Sequence, residues 1–237
     1  MATTSAGLAY SLGKTDGNRE VTRAEALENS RAIVSATHLP VAADLENGYG
    51  DSPEECGATI TLAAETGLVG GSIEDATGQT LQPIYDFDTA VARIRASVNA
   101  ARKLPFHFTL TARAENHLHG IFDLDDTIRR LVAYAEVGAD VLFAPGIKSS
   151  DDIAKIVKAV SPLPVNVLWG YPDSSLTIND LSTLGVKRVS LGSSLARVAY
   201  ASLIKAGNEI LQKGTANYAA DAIPYSDLNA LFNFVKS

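Results

Sequence analysis

Leu62-Ala63-Ala64-Glu65-Thr66-Gly67-Leu68-Val69-Gly70-Gly71-Ser72-Ile73-Glu74-Asp75 holds one complete structural unit. A helix of small and apolar residues runs to Gly67, which can take the left-handed conformation that ends it. A short apolar strand follows and stops at two carboxylates. The same order recurs at Leu131 to Val137, Gly138 and Asp140-Val141-Leu142-Phe143-Ala144, and again at Leu181 to Leu184, Gly185 and Arg188-Val189-Ser190-Leu191. Working outward from this unit, strands are expected near residues 1–5, 41–46, 69–74, 106–113, 139–144, 164–168 and 187–191.

Short, mostly apolar strands separated by helices predict a parallel sheet covered by helices. Alternating βα units leave two architectures, a doubly wound sheet or a barrel. The polar residues choose between them, because they gather at the C-terminal ends of many strands. Thr4-Ser5, Asp44 with Glu46, Glu74 with Asp75, Arg113 with Glu115, Asn166 and Ser193-Ser194 all sit there. An open crevice draws on fewer strands than a barrel mouth does. The expected fold is therefore α/β, a TIM-type (β/α)8 barrel forming a single domain over residues 1–237. Helix starts are marked by Thr22-Arg23-Ala24-Glu25, Ser52-Pro53-Glu54-Glu55 and Thr177 to Asp180, which read as caps.

Composition narrows the function classes. A chain of 237 residues, 46% hydrophobic, can bury a substantial core. A net charge of −7 argues against nucleic acid and against anionic membrane surfaces as partners. No apolar run reaches the length of a membrane span, and the N-terminus does not read as a signal sequence. The single cysteine, Cys56, excludes an intrachain disulfide framework and fits a reducing compartment, so a cytoplasmic location is expected.

Ala43-Asp44-Leu45-Glu46-Asn47-Gly48-Tyr49-Gly50-Asp51 carries the strongest chemical signal. Strand side chains alternate faces, so Asp44 and Glu46 are expected to point the same way. Like charges that close repel unless a proton or a divalent cation sits between them. With Glu74 they form an oxygen-only donor set of the kind magnesium prefers; solvated loop carboxylates are the plainer alternative. Asp16 lies in an Asp-Gly turn, which by itself reads as structural. Thr109, Thr111 and Arg113 share a strand face. A buried arginine needs a carboxylate partner, Glu115 or Glu74, or an anionic ligand. His107 is expected to pack in the core beside Phe106, His117 and His119 to lie on a surface loop, and Cys56 to be buried.

These residues, together with Ala2-Thr3-Thr4-Ser5-Ala6-Gly7, Gly13-Lys14-Thr15-Asp16-Gly17, Ile73-Glu74-Asp75, Thr111-Ala112-Arg113, Phe143-Ala144-Pro145-Gly146 and Pro164-Val165-Asn166-Val167-Leu168, resemble the isocitrate lyase/phosphoenolpyruvate mutase superfamily. The resemblance implies a (β/α)8 barrel that binds Mg2+ (Mn2+ as an alternative) and a small α-oxo acid, in a homodimer or homotetramer. It also implies C-terminal helices, about residues 199–237, swapped between subunits. Asp44 would be the direct metal ligand, with Glu46, Glu74 and Asp16 acting mostly through water. Thr4, Ser5, Ala6, Gly48, Arg113 and Asn166 would contact substrate, and Arg113 and Asp44 would carry the chemistry. The reaction would be cleavage or rearrangement of a C–C or P–C bond through an enolate, as in an oxaloacetate decarboxylase, a phosphonopyruvate hydrolase or a mutase.

Three departures separate the chain from authentic isocitrate and methylisocitrate lyases. Their Lys-Lys-Cys-Gly-His loop is replaced by Ala76-Thr77-Gly78-Gln79-Thr80-Leu81-Gln82-Pro83. Pro145 stands where those lyases have a glutamate. One βα unit that precedes the Ala2-Thr3-Thr4-Ser5 segment in family members is not found, so the first and last strands are expected to flank a gap. Two other readings remain: a degenerate member that binds metal and oxo acid without turnover, and an unrelated aldolase, which would need a lysine inside the barrel.

Overall fold

The computed structural model describes residues 1–172 and 175–233. The chain forms two compact units, Met1–Gly192 and Ser193–Ser237. In the first, α1 (Ser5–Ser11) and α2 (Arg23–Ser35) precede β1 (Ala42–Asp44), after which helices and strands alternate. The order is α3 (Pro53–Glu65), β2 (Gly70–Glu74), α4 (Phe87–Arg102), β3 (Thr109–Arg113), α5 (Leu124–Glu136), β4 (Val141–Phe143), α6 (Ser150–Val160), β5 (Val165–Leu168), α7 (Ile178–Thr183) and β6 (Arg188–Ser190). The strands pair in parallel in sequence order, giving a curled six-stranded sheet, a half-barrel of the TIM type. The second unit holds α8 (Ser194–Lys213) and α9 (Tyr225–Asn233).

Local chemistry accounts for the boundaries. The boxes at Thr22/Glu25, Ser52/Glu55 and Thr177/Asp180 all form, with Pro53 in the first turn of α3. Gly67, Gly138 and Gly185 end their helices at φ +91°, +102° and +91°, a region that costs an L-residue strain but glycine almost none.

The alternation of the strands separates two faces. Ala43, Ile73, Leu110, Ala112, Leu142, Val165 and Val167 belong to the core cluster packed beneath the helices. Burying each large aliphatic side chain there stabilises the fold by about 1.5–3 kcal/mol. Asp44, Ser72, Thr111, Arg113, Asn166, Leu168, Arg188 and Ser190 line the opposite face. Gly70 has a packing reason, since a Cβ there would sit 2.8 Å from the Thr109 carbonyl oxygen on β3.

Two expectations need correction. Residues 1–5 do not form a full strand: Ala2 makes one parallel bridge to Ala42, and Ser5 already opens α1. The start of α1 is met by a carboxylate from β1, Asp44, which accepts from the Ser5 amide at 3.4 Å. His107 is exposed rather than packed, because β3 begins only at Thr109 and the preceding loop is solvated.

Candidate functional site

The turn after β1 is built by its backbone. β1 ends at Asp44, and Glu46, Gly48 and Tyr49 all adopt positive φ, at +46°, +82° and +57°. Glu46 therefore reaches its place through a left-handed turn and not by strand parity, which corrects the alternation argument. Gly48 is packed so closely on α3 that a Cβ would lie 2.9 Å from Cys56 Sγ. The Thr59 hydroxyl donates to the Gly48 carbonyl at 2.6 Å, and the buried Arg93 guanidinium donates to the carbonyls of Asn47 and Asp51. Cys56 is fully buried there, as expected, and its thiol is pushed up to about 11 by burial. Its packing role is structural.

Arg113, at the end of β3, is the centre of the site. Its guanidinium meets Asp44 at 2.9 Å, Glu74 at 3.0 Å and Glu115 at 2.9 Å. Burial opposes its charge, yet the three carboxylates hold its pKa well above the ordinary value. Asp44 also accepts from the amides of Ser5 (3.4 Å) and Glu46 (3.2 Å), while its own amide donates to the Thr3 hydroxyl at 3.0 Å. One arginine thus faces three carboxylates, with Glu46 and Asp16 beside them in the adjoining cleft. Burial, then the charges of Asp44 and Asp16, push Glu46 up to about 7. Burial lifts Glu74 well above its usual value and raises Glu115 to about 7, against the pull of Arg113 in both cases. Asp16 is raised by partial burial, opposed by a hydrogen bond from the Ser5 side chain.

Two clefts share Arg113. One, of ≈ 100 Å³, lies inside the half-barrel between Thr4, Asp44, Asn166 and Arg188. The other, of ≈ 270 Å³, holds Ser5, Asp16, Glu46, Glu74, Glu115 and His119. Ala6 is buried in α1, and Gly48 turns toward α3; neither lines these clefts. Asp75, next to Glu74, faces the other way. It is buried and bound by Arg130 at 3.0 Å, Tyr134 at 2.7 Å and the Glu115 amide at 2.8 Å. Among the described residues no lysine lines either cleft, and Lys14 is paired with Glu25, so neither cleft supplies the lysine that the aldolase reading needs.

The donor set suits a hard divalent cation: it consists of carboxylate oxygens, outnumbers its one arginine, and has carboxyls raised by burial and then by their neighbours' charges. Among the described residues no three His, Cys, Asp or Glu side chains surround a common point closely enough to ligate one ion. An ion that keeps several waters and touches one or two carboxylates fits this spacing. Arg188 and Arg93 were not anticipated from the sequence. Arg93 sits in an amphipathic helix, and Arg188 opens a strand where a basic residue reads as solvated.

A profile of the phosphoenolpyruvate phosphomutase family matches residues 1–211. The chain belongs to the phosphoenolpyruvate mutase/isocitrate lyase superfamily. A crystal structure of a Burkholderia cenocepacia J2315 protein described as a lyase/mutase is 52% identical, with a TM-score of 0.92, covering 98% of this chain and 82% of that one. The Mycobacterium tuberculosis protein Rv1998c (strain ATCC 25618 / H37Rv), itself uncharacterized, is 32% identical over 97% of this chain and 82% of its own length. An oxaloacetate decarboxylase of Bradyrhizobium diazoefficiens is 33% identical over 65% of this chain and 52% of its own. Membership carries the superfamily's general chemistry, a lyase- or mutase-type reaction on a small oxo acid. No helix among the described residues is long and apolar enough to cross a membrane.

Proposed function

We propose that the protein is a Mg2+-dependent enzyme that cleaves or rearranges a C–C or P–C bond of a small α-oxo acid through an enolate. Oxaloacetate decarboxylase, phosphonopyruvate hydrolase and mutase-like reactions are the candidates, and isocitrate lysis is not among them. The observation that carries this reading is the surplus of carboxylates around Arg113 at the ends of β1, β2 and β3. Asp44 would hold the ion directly, with Glu46, Glu74 and Asp16 reaching it through water. The bound cation supplies positive charge opposite the carbonyl oxygen on which enolate charge develops.

The chain's own groups would do the rest. Arg113 can exchange one of its carboxylate partners for a substrate carboxylate, to which a guanidinium offers paired donors. The Ser5 amide and the Thr4 end of α1 would orient that carboxylate, and Asn166 would contact the substrate from β5. Isothermal titration with Mg2+ and oxalate, an enolate mimic, tests the assignment. The wild type is expected to bind oxalate only with Mg2+, and Asp44→Ala to lose at least a hundredfold in affinity. Unchanged binding by Asp44→Ala defeats it.

A second reading is favoured by the loop after Glu74, which closes through an Ala76–Ile84 bridge and carries no lysine or cysteine. In that reading the chain binds metal and oxo acid without turnover. Tight oxalate binding with no turnover of oxaloacetate, phosphonopyruvate or methylisocitrate selects it. The implied homo-oligomer and helix swap find support in α8, where Leu195, Val198, Leu203 and Ile204 are exposed. Light scattering on the eluting protein is expected to give a dimer or tetramer mass.

A further inference from the structure

The half-barrel encloses two arginines with opposite electrostatic surroundings. Arg113 is paired three times over. Arg188, on β6, has no carboxylate within 4.0 Å among the described residues, although the side chain is largely withdrawn from water and lines the ≈ 100 Å³ cleft. Its hydrogen bond is from Nη1 to the Thr111 hydroxyl of β3 at 2.9 Å. That leaves most of the five guanidinium donors uncommitted. Burial pulls its pKa below the usual arginine value, opposed by the charge of Asp44. A desolvated, unpaired cation is costly to hold, and an incoming anion with two oxygens would relieve that cost.

A second observation points into the same space. Asn166, the register partner of Arg188 on β5, is 2% exposed and also lines the cleft. Its Nδ2 donates to the Ser190 hydroxyl at 2.9 Å, whereas Oδ1 has no partner. Buried amides are nearly always satisfied; with the amide turned over, the Ser190 hydroxyl donates to Oδ1 and Nδ2 is left to donate to an anion beside Arg188. Thr111, Asn166, Arg188 and Ser190 come from β3, β5 and β6, across the cleft from Asp44 on β1. A molecule bridging them would need two polar ends.

We propose that Arg188 receives a second anionic group of the substrate, distal to the oxo-acid end held at Asp44 and Arg113, and that this contact selects doubly charged oxo acids over pyruvate-like monoanions. The inference deepens the proposed function and rests on it. The distal group is a carboxylate or a phosphonate, both of which a guanidinium binds through paired oxygens.

The test is titration of the Mg2+-loaded protein with oxalate, pyruvate, oxaloacetate and phosphonopyruvate, for wild type, Arg188→Met and Arg188→Lys. Oxalate has no distal group and reports on the Asp44 side alone. Wild type is expected to bind oxaloacetate or phosphonopyruvate at least tenfold more tightly than pyruvate, and which of the two gains more identifies the distal group. Arg188→Met should erase that preference while keeping oxalate affinity within threefold, and Arg188→Lys should restore part of it. Equal affinity of wild type for pyruvate and both doubly charged acids overturns the inference, as does an Arg188→Met protein that keeps the preference. Loss of oxalate binding in Arg188→Met with its restoration in Arg188→Lys also overturns it, by placing Arg188 at the oxo-acid end. Failure of wild type to bind oxalate is the separate result that removes the proposed function itself. Thermal melts of both variants verify folding, and if Arg188→Met is unfolded, Arg188→Gln, which can still donate to Thr111, replaces it.

Discussion

Glu74 and Asp75 are neighbours in the chain and opposites in the molecule. Glu74 faces the interior, where Asp44, Glu74 and Glu115 crowd a single arginine. Asp75 faces the helix layer, where Arg130 and Tyr134 satisfy one of its oxygens and the Glu115 amide the other. Arg130 is tied in turn to Asp126 at 2.7 Å. The outer cluster is balanced and behaves as a clamp between β2 and α5. The inner cluster has more negative charge than its surroundings can neutralise, a state that proteins maintain at sites awaiting a ligand.

Four measurements press on that contrast. The largest effect is expected from Arg113→Met, which strands three partly buried carboxylates and should destabilise the metal-free protein by about 3–5 kcal/mol. Its melting temperature should recover partly as pH falls toward about 5, where Glu74 and Glu115, both raised by burial, hold protons; a variant as stable as wild type contradicts the inner-cluster account. Asp75→Asn breaks the outer clamp at a cost of about 3 kcal/mol, yet should leave Mg2+-oxalate affinity unchanged. A large loss of that affinity would mean the two faces are not separate.

The third measurement is acid unfolding. Burial raises Asp126, but hydrogen bonds from Arg130, Arg129 and Asn116 outweigh it and hold it at about 2, below its ordinary 3.8. A carboxyl depressed on folding contributes stability above its unfolded value and loses it as pH falls from about 4 to about 2. Asp126→Asn should flatten this limb by about 1–2 kcal/mol. The fourth has the opposite sign. Glu115 is raised to about 7, so the folded state holds its proton where the unfolded chain does not. Metal-free protein should lose stability as pH rises from about 4.5 to about 7, and Glu115→Gln should reduce that slope. An unchanged slope would place the inner charge surplus elsewhere.

Much of the site was legible in the chain. Asp44, Glu74 and Arg113 follow short apolar runs, and those runs end where parallel strands end, so convergence could be read from spacing. Glu46 was placed correctly for the wrong reason, since a left-handed turn carries it inward. Gly48 signalled a turn, but only its contact with Cys56 shows that the turn faces α3. Arg188 was hidden because its partner, Thr111, lies far away in sequence and its isolation is an absence of neighbours.

The order of helices, glycine stops and short strands is written locally, because left-handed glycines and capping residues act within a few positions of themselves. That order, with acidic strand ends, was enough to indicate a parallel α/β barrel and a mouth lined with carboxylates. Which of two adjacent carboxylates faces inward, and whether an arginine is paired or left alone, depends on strands dozens of residues apart. Coulomb and desolvation energies are set by distance in space, so folding alone decided them.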